Sequence, residues 1–100
     1  MTDIKELNDE ELNMVAGGTE ISIGDGIHAN TIYRNRQNTN LYAWVVSLYE
    51  GYRVVYYDVT MESSTTFKKQ SSNSKFMNKS DFTNQYYTNI QITGFRIKSW

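Results

Sequence analysis

The chain has 100 residues, a net charge of −1, eight tyrosines, no cysteine and no proline. That length holds one domain at most, and the missing thiols exclude a disulfide scaffold, a thiolate metal site, a cysteine nucleophile and thioether rings. No run approaches the roughly 18 apolar residues of a membrane helix; the longest, Ala43-Trp44-Val45-Val46 and Val54-Val55-Tyr56-Tyr57, are strand-sized.

Charge is divided unevenly. Residues 1–18 hold five acids (Asp3, Glu6, Asp9, Glu10, Glu11) against Lys5 alone, a balance of −4. Residues 19–100 hold nine Lys and Arg against six Asp and Glu, a balance of +3, and every Tyr, Phe and Trp. An acidic stretch without aromatics joined to a basic, aromatic-rich one reads as two units with different tasks.

The first unit lacks the basic start and continuous apolar core of an ordinary secretory signal. Its apolar residues are spaced instead, at Ile4, Leu7, Leu12 and Val15. At about 100° per residue on a helix they share one arc of about 140°, with Glu11 near its middle. A carboxylate centred on an apolar stripe suits a partner that supplies a donor better than it suits plain packing. Asn8 is a good N-cap, Glu11 completes a capping box, and Leu7 and Leu12 take the two positions of a hydrophobic staple. The helix predicted over residues 9–16 is too short to be stable alone in water and is expected to form on a partner. Gly17-Gly18 then ends it and leaves an extended stretch without side chains, suited to a narrow peptidase groove.

Ile4, Leu7, Leu12 and Val15 stand fifteen, twelve, seven and four places before the Gly18–Thr19 bond. With Glu11 and the glycine pair, this segment resembles the double-glycine leader of bacteriocin-type precursors. The resemblance covers residues 1–18. It implies that a peptidase-containing ABC transporter recognises Ile4, Leu7, Glu11, Leu12 and Val15. The transporter would cut at Gly17-Gly18-Thr19, after Gly18, with a cysteine of its own, and secrete the remainder. On that reading residues 1–18 are the leader and 19–100 the mature domain.

The second unit reads as β throughout. Residues 19–23 alternate, Gly24-Asp25-Gly26 is a turn, and residues 27–34 form a second strand. The strongest strands, 41–49 and 52–61, are rich in β-branched and aromatic residues. A three-residue loop, Tyr49-Glu50-Gly51 with Gly51 left-handed, spares Glu50 a positive φ. It pairs Leu48 with Tyr52, Val46 with Val54 and Trp44 with Tyr56. Both faces of this hairpin are then apolar, which places it centrally. Residues 62–80 are polar and read as a long loop with one edge strand at 65–69. Residues 86–92 and 95–100 are the last strands, with a β-bulge at Gly94 where the apolar parity switches. The predicted fold is all-β: a small antiparallel sandwich or barrel of five to seven strands behind a flexible or short-helical leader.

Sites that carry chemistry are scarce. His28 is the one histidine and has no thiol or acidic cluster beside it. Asp25 between two glycines is explained by turn chemistry, since one carboxylate is far short of a calcium set. Asp58 and Glu62 are acids near strands without further support as a glycosidase pair. There is no phosphate loop, nucleophile elbow or HExxH, so no enzymatic activity, cofactor or metal is expected.

The tyrosines exceed what a small core hides. Trp44, Tyr49, Tyr52 and Tyr56 are the expected contact surface, for sugar, envelope or protein. A balance of +3 without a clustered basic stripe argues against nucleic acid. Two functions follow as expectations. One is a bacteriocin-like protein acting on competing cells; the other is a non-toxic binding or adhesion module that recognises envelope glycan or a surface protein.

Overall fold

The computed structural model describes residues 19–22 and 26–98. Ile4, Leu7, Glu11, Leu12, Val15, Gly17 and Gly18, expected to belong to a leader, and Gly24 and Asp25, expected in a turn, lie outside them; Thr19 opens the first strand. In chain order the elements are β1 (Thr19–Ser22), β2 (Thr31–Arg34), β3 (Tyr42–Tyr49), β4 (Arg53–Met61), β5 (Thr66–Lys69), β6 (Lys75–Asn78), α1 (Lys79–Gln85), β7 (Ile90–Thr93) and β8 (Arg96–Lys98).

The strands form one sheet in the order β1-β7-β2-β3-β4-β5-β8, with β6 also on β4. β7 and β8 are separated only by Gly94 and Phe95, yet they lie towards opposite ends of that order. The sheet must therefore curl until its ends meet. The result is a ring of β2, β3, β4, β5 and the interrupted strand β7/β8. A ring with an odd number of strands cannot be antiparallel all round. The one parallel junction is β5 with β8, where Thr66, Phe67 and Lys68 face Arg96, Ile97 and Lys98. The expectation of a small all-β sandwich or barrel holds in the barrel form, antiparallel except at that junction. Counting β7/β8 once gives seven strands.

Each ring strand sends side chains inward. Ile32, Tyr42, Val59, Phe67, Ile92, Phe95 and Ile97 are buried together as the barrel core. Alternate residues of β2, β3 and β4 point to the outer face, where Tyr33, Ala43, Val45, Val54 and Tyr56 form a second core. That core is closed by α1. Phe82 and Tyr86 stand one helical turn apart, stacked at 4.5 Å, and both are buried against the sheet. Burial on both faces makes the hairpin central, as the apolar pattern predicts.

Four local expectations are corrected. The hairpin turn is a primed one: Glu50 and Gly51 have φ of 56° and 80°, and the Tyr52 N–H donates to the Tyr49 carbonyl at 3.2 Å. This turn twists with its strands, and that gain outweighs the cost of a left-handed glutamate. Near the turn Tyr49 pairs Arg53 and Leu48 pairs Val54, but beyond a bulge at Val46 Trp44 pairs Tyr57. Trp44 therefore does not face Tyr56.

Within residues 62–80 the strand expected at 65–69 is present as β5, but between β4 and β8 rather than at an edge. The remainder is not all loop: it holds β6 as well, and β5 and β6 divide the long β4 between them, at Val59 to Met61 and at Arg53 to Tyr56 respectively. α1 begins directly after. Tyr86 makes only an isolated bridge with Asn35, so the strand expected over residues 86–92 is reduced to β7. Finally, Gly94, at φ 66°, with Phe95 interrupts the last strand of the ring where its pairing passes from β2 to β5, a break rather than a bulge against one partner.

Candidate functional site

Cross-strand pairs share a face. Register therefore places Trp44 with Tyr57, Ser47 and Phe76 with Val55, and Tyr49 and Asn78 with Arg53, all on the barrel side of the sheet. Lys69 joins them through its pairing with Val59. This face runs from the closed barrel core outward to the hairpin tip, and burial falls along it. Tyr42 and Val59 are buried, Trp44, Val55 and Tyr57 are half-covered, and Tyr49 and Phe76 are 55% and 63% exposed.

Aromatic rings and cations meet at both ends of the stripe. At the barrel end the Trp44 and Tyr57 rings stack, 5.4 Å apart and 26° from parallel. The Lys69 ammonium lies 4.6 Å from the Tyr57 ring centre. The Trp44 indole N–H is buried without a hydrogen-bond partner. At the tip, the Arg53 guanidinium lies 5.8 Å from the Tyr49 and Tyr52 rings and 5.6 Å from Phe76. Both arrangements are cation–π contacts, which hold each cation in place without neutralising its charge. Among the described residues neither Arg53 nor Lys69 has a carboxylate partner, and no barrel-side position of β3, β4, β5 or β6 carries Asp or Glu.

The outer face is electrically and sterically closed. Asp58 pairs with Lys75 beside the Tyr56–Tyr86 contact. That carboxylate holds the Lys75 ammonium above its ordinary pKa, first through their hydrogen bond. Burial pushes the Tyr86 hydroxyl up to about 12, and burial followed by the Asp58 charge raises Tyr56. Tyr33, also raised by burial, accepts hydrogen bonds at its hydroxyl from the His28 backbone N–H at 2.8 Å and from Gln91 Nε2 at 2.9 Å. These are the groups of a satisfied core.

Of the expected contact residues, Tyr49 and Tyr52 are exposed at the tip, and Trp44 is half-covered at the barrel end. Tyr56 is a correction: it is 5% exposed and packs against Phe82 and Tyr86. The turn moves the expected pairing on by two residues and the bulge at Val46 takes one back, so Tyr57 stands opposite Trp44; the one-residue slip at the bulge exchanges the two faces. Tyr57 takes the place assigned to Tyr56. Arg53, Phe76 and Lys69 were not expected. Phe76 lies in a polar run, and the cations stand out only once the register shows which rings surround them. His28 is exposed, with its backbone tied to Tyr33. Asp58 and Glu62 are held by different lysines, Lys75 and Lys98, and are not joined as a carboxylate pair. Among the described residues no group of three His, Asp or Glu could hold a metal ion.

No family model, no curated protein and no solved structure matches this chain.

Proposed function

We propose that the chain is the precursor of a small secreted, bacteriocin-type protein whose β-domain acts by binding the envelope of other cells. Export rests on the double-glycine pattern of residues 1–18. The mode of action rests on one observation: the barrel-side face of β3, β4, β5 and β6 carries aromatic rings and cations without a carboxylate partner among the described residues, and its tip is uncovered, while the outer face is sealed by α1. The one helix among the described residues is seven residues long and turns Phe82 into the core, so the domain acts as a folded β-protein and not as an amphipathic helix.

The export arm is tested with the isolated peptidase domain of a double-glycine transporter. The precursor yields a product beginning at Thr19, Gly18→Val abolishes cutting, and Leu12→Ala or Val15→Ala weakens it. A new N-terminus elsewhere contradicts the leader. The binding arm is tested by co-sedimentation with cell-envelope preparations. The protein pellets with envelope, and Tyr49→Ser with Phe76→Ser releases it; binding unchanged by that pair contradicts the site. Growth inhibition then separates two outcomes. Killing lost with the same pair is a toxin's behaviour. Binding without inhibition is that of an adhesion module.

A further inference from the structure

We infer that the ligand of this face is a linear polysaccharide whose sugars carry carboxylates. The inference rests on the envelope-binding reading above and adds the chemistry of the partner.

The site is a long stripe along β3 and β4 rather than a pocket. Arg53 and Tyr57 lie four residues apart on β4, about 13 Å at roughly 3.3 Å per residue. Lys69 stands further on, opposite Val59. An aromatic and cationic station occupies each end, and Val55 with Ser47 forms a low floor between them. An extended chain of several units fits this shape, with flat ring faces lying on exposed Tyr49 and Phe76 at the tip and the chain running on past the Trp44–Tyr57 stack to Lys69. Sugar rings offer such faces. A polyol phosphate has none.

Charge selects the anion. Among the described residues Arg53 and Lys69 have no carboxylate partner, and Glu50 in the turn beyond shares no hydrogen bond or ion pair with either. Both cations are oriented by rings and keep their donors for a ligand. The Arg53 fork suits the two oxygens of a carboxylate. Two cations with the uncharged floor of Val55 and Ser47 between them fall short of the positively charged groove that tracks a nucleic-acid backbone.

The probe is polygalacturonate, titrated calorimetrically into the full chain beside the same polymer fully methyl-esterified. Esterification keeps the sugar rings and removes the charge. The expected result is binding that weakens roughly tenfold or more on esterification, as for losing charge-assisted hydrogen bonds, and that weakens with added salt. R53Q and K69Q each weaken binding, and together abolish it; R53K retains more than R53Q, and thermal unfolding of all variants stays close to that of the parent. Equal binding of both polymers, binding that survives the R53Q/K69Q pair, or preference for single-stranded oligothymidylate overturns the inference. Failure to bind polygalacturonate while envelope still pellets the protein through Tyr49 and Phe76 overturns the anionic ligand alone. Failure to bind any envelope fraction overturns the envelope reading as well.

Discussion

The β3–β4 hairpin carries two apolar faces with opposite fates. On the outer face, Val45, Val54 and Tyr56 go under Phe82 and Tyr86, and the one carboxylate, Asp58, is matched by Lys75. On the barrel face, Tyr42 and Val59 are buried within the ring, but the same strands continue past it, and Tyr49, Arg53 and Phe76 emerge with no helix over them. The difference shows that hydrophobicity alone does not mark a core. What decides is whether another element supplies cover and whether the charges are matched, and here the cover comes from a seven-residue helix with a single buried phenylalanine.

The two faces should therefore respond differently to substitution. Phe82→Ala should have the largest effect, because Phe82 is fully buried and its ring meets Tyr33, Tyr56 and Tyr86. A cost of about 3–5 kcal/mol is expected in urea unfolding. A loss under about 1 kcal/mol would show that α1 does not close this face.

Alkali should act next. An unfolded tyrosine ionises near pH 10, whereas buried Tyr86 keeps its proton until about 12. The folded state holds the proton more tightly, so stability is intact below pH 10. It falls between pH 10 and about 12, by about 1.4 kcal/mol per pH unit from this residue. Tyr33 and Tyr56, raised by burial too, act in the same direction. Thermal midpoints across pH 8–12 should show the fall, and Tyr86→Phe should make it shallower. A flat profile would mean that water reaches the outer core.

Asp58→Asn should cost less than about 1 kcal/mol, since the Lys75 side chain is more than half exposed and solvent screens the pair. High salt should erase most of the difference in unfolding midpoint between parent and variant. Smallest of all, Tyr49→Ser and Phe76→Ser should each shift stability by no more than about 0.5 kcal/mol, while removing envelope binding. A large stability loss at either position would make the open face part of the core.

Much of this contrast was legible in the sequence. The two strong strands, their central place, and the glycine at the tip follow from β-branched and aromatic runs flanking Glu50-Gly51. The excess of tyrosine correctly points to surface rings at Tyr49 and Tyr52. The face of Tyr56 was not legible, because the bulge at Val46 and the primed turn set the register, and neither leaves a pattern in side-chain type. α1 was hidden for another reason. In Lys79-Ser80-Asp81-Phe82-Thr83-Asn84-Gln85 one apolar residue gives no helical period, and its partner Tyr86 reads equally well as the start of a strand. Phe76 was lost in the same polar stretch, although it completes the ring of aromatics around Arg53.

The central claim is that the open face, and not the sealed one, meets the envelope. Backbone and indole N–H resonances followed by NMR during titration with solubilised envelope polysaccharide test it most directly. Shifts should concentrate at the Trp44 indole and at Tyr49, Arg53, Val55, Tyr57 and Phe76, with residues 79–86, Asp58 and Lys75 undisturbed. Shifts gathered on α1 and the Asp58–Lys75 pair, with the Trp44 indole silent, would contradict it.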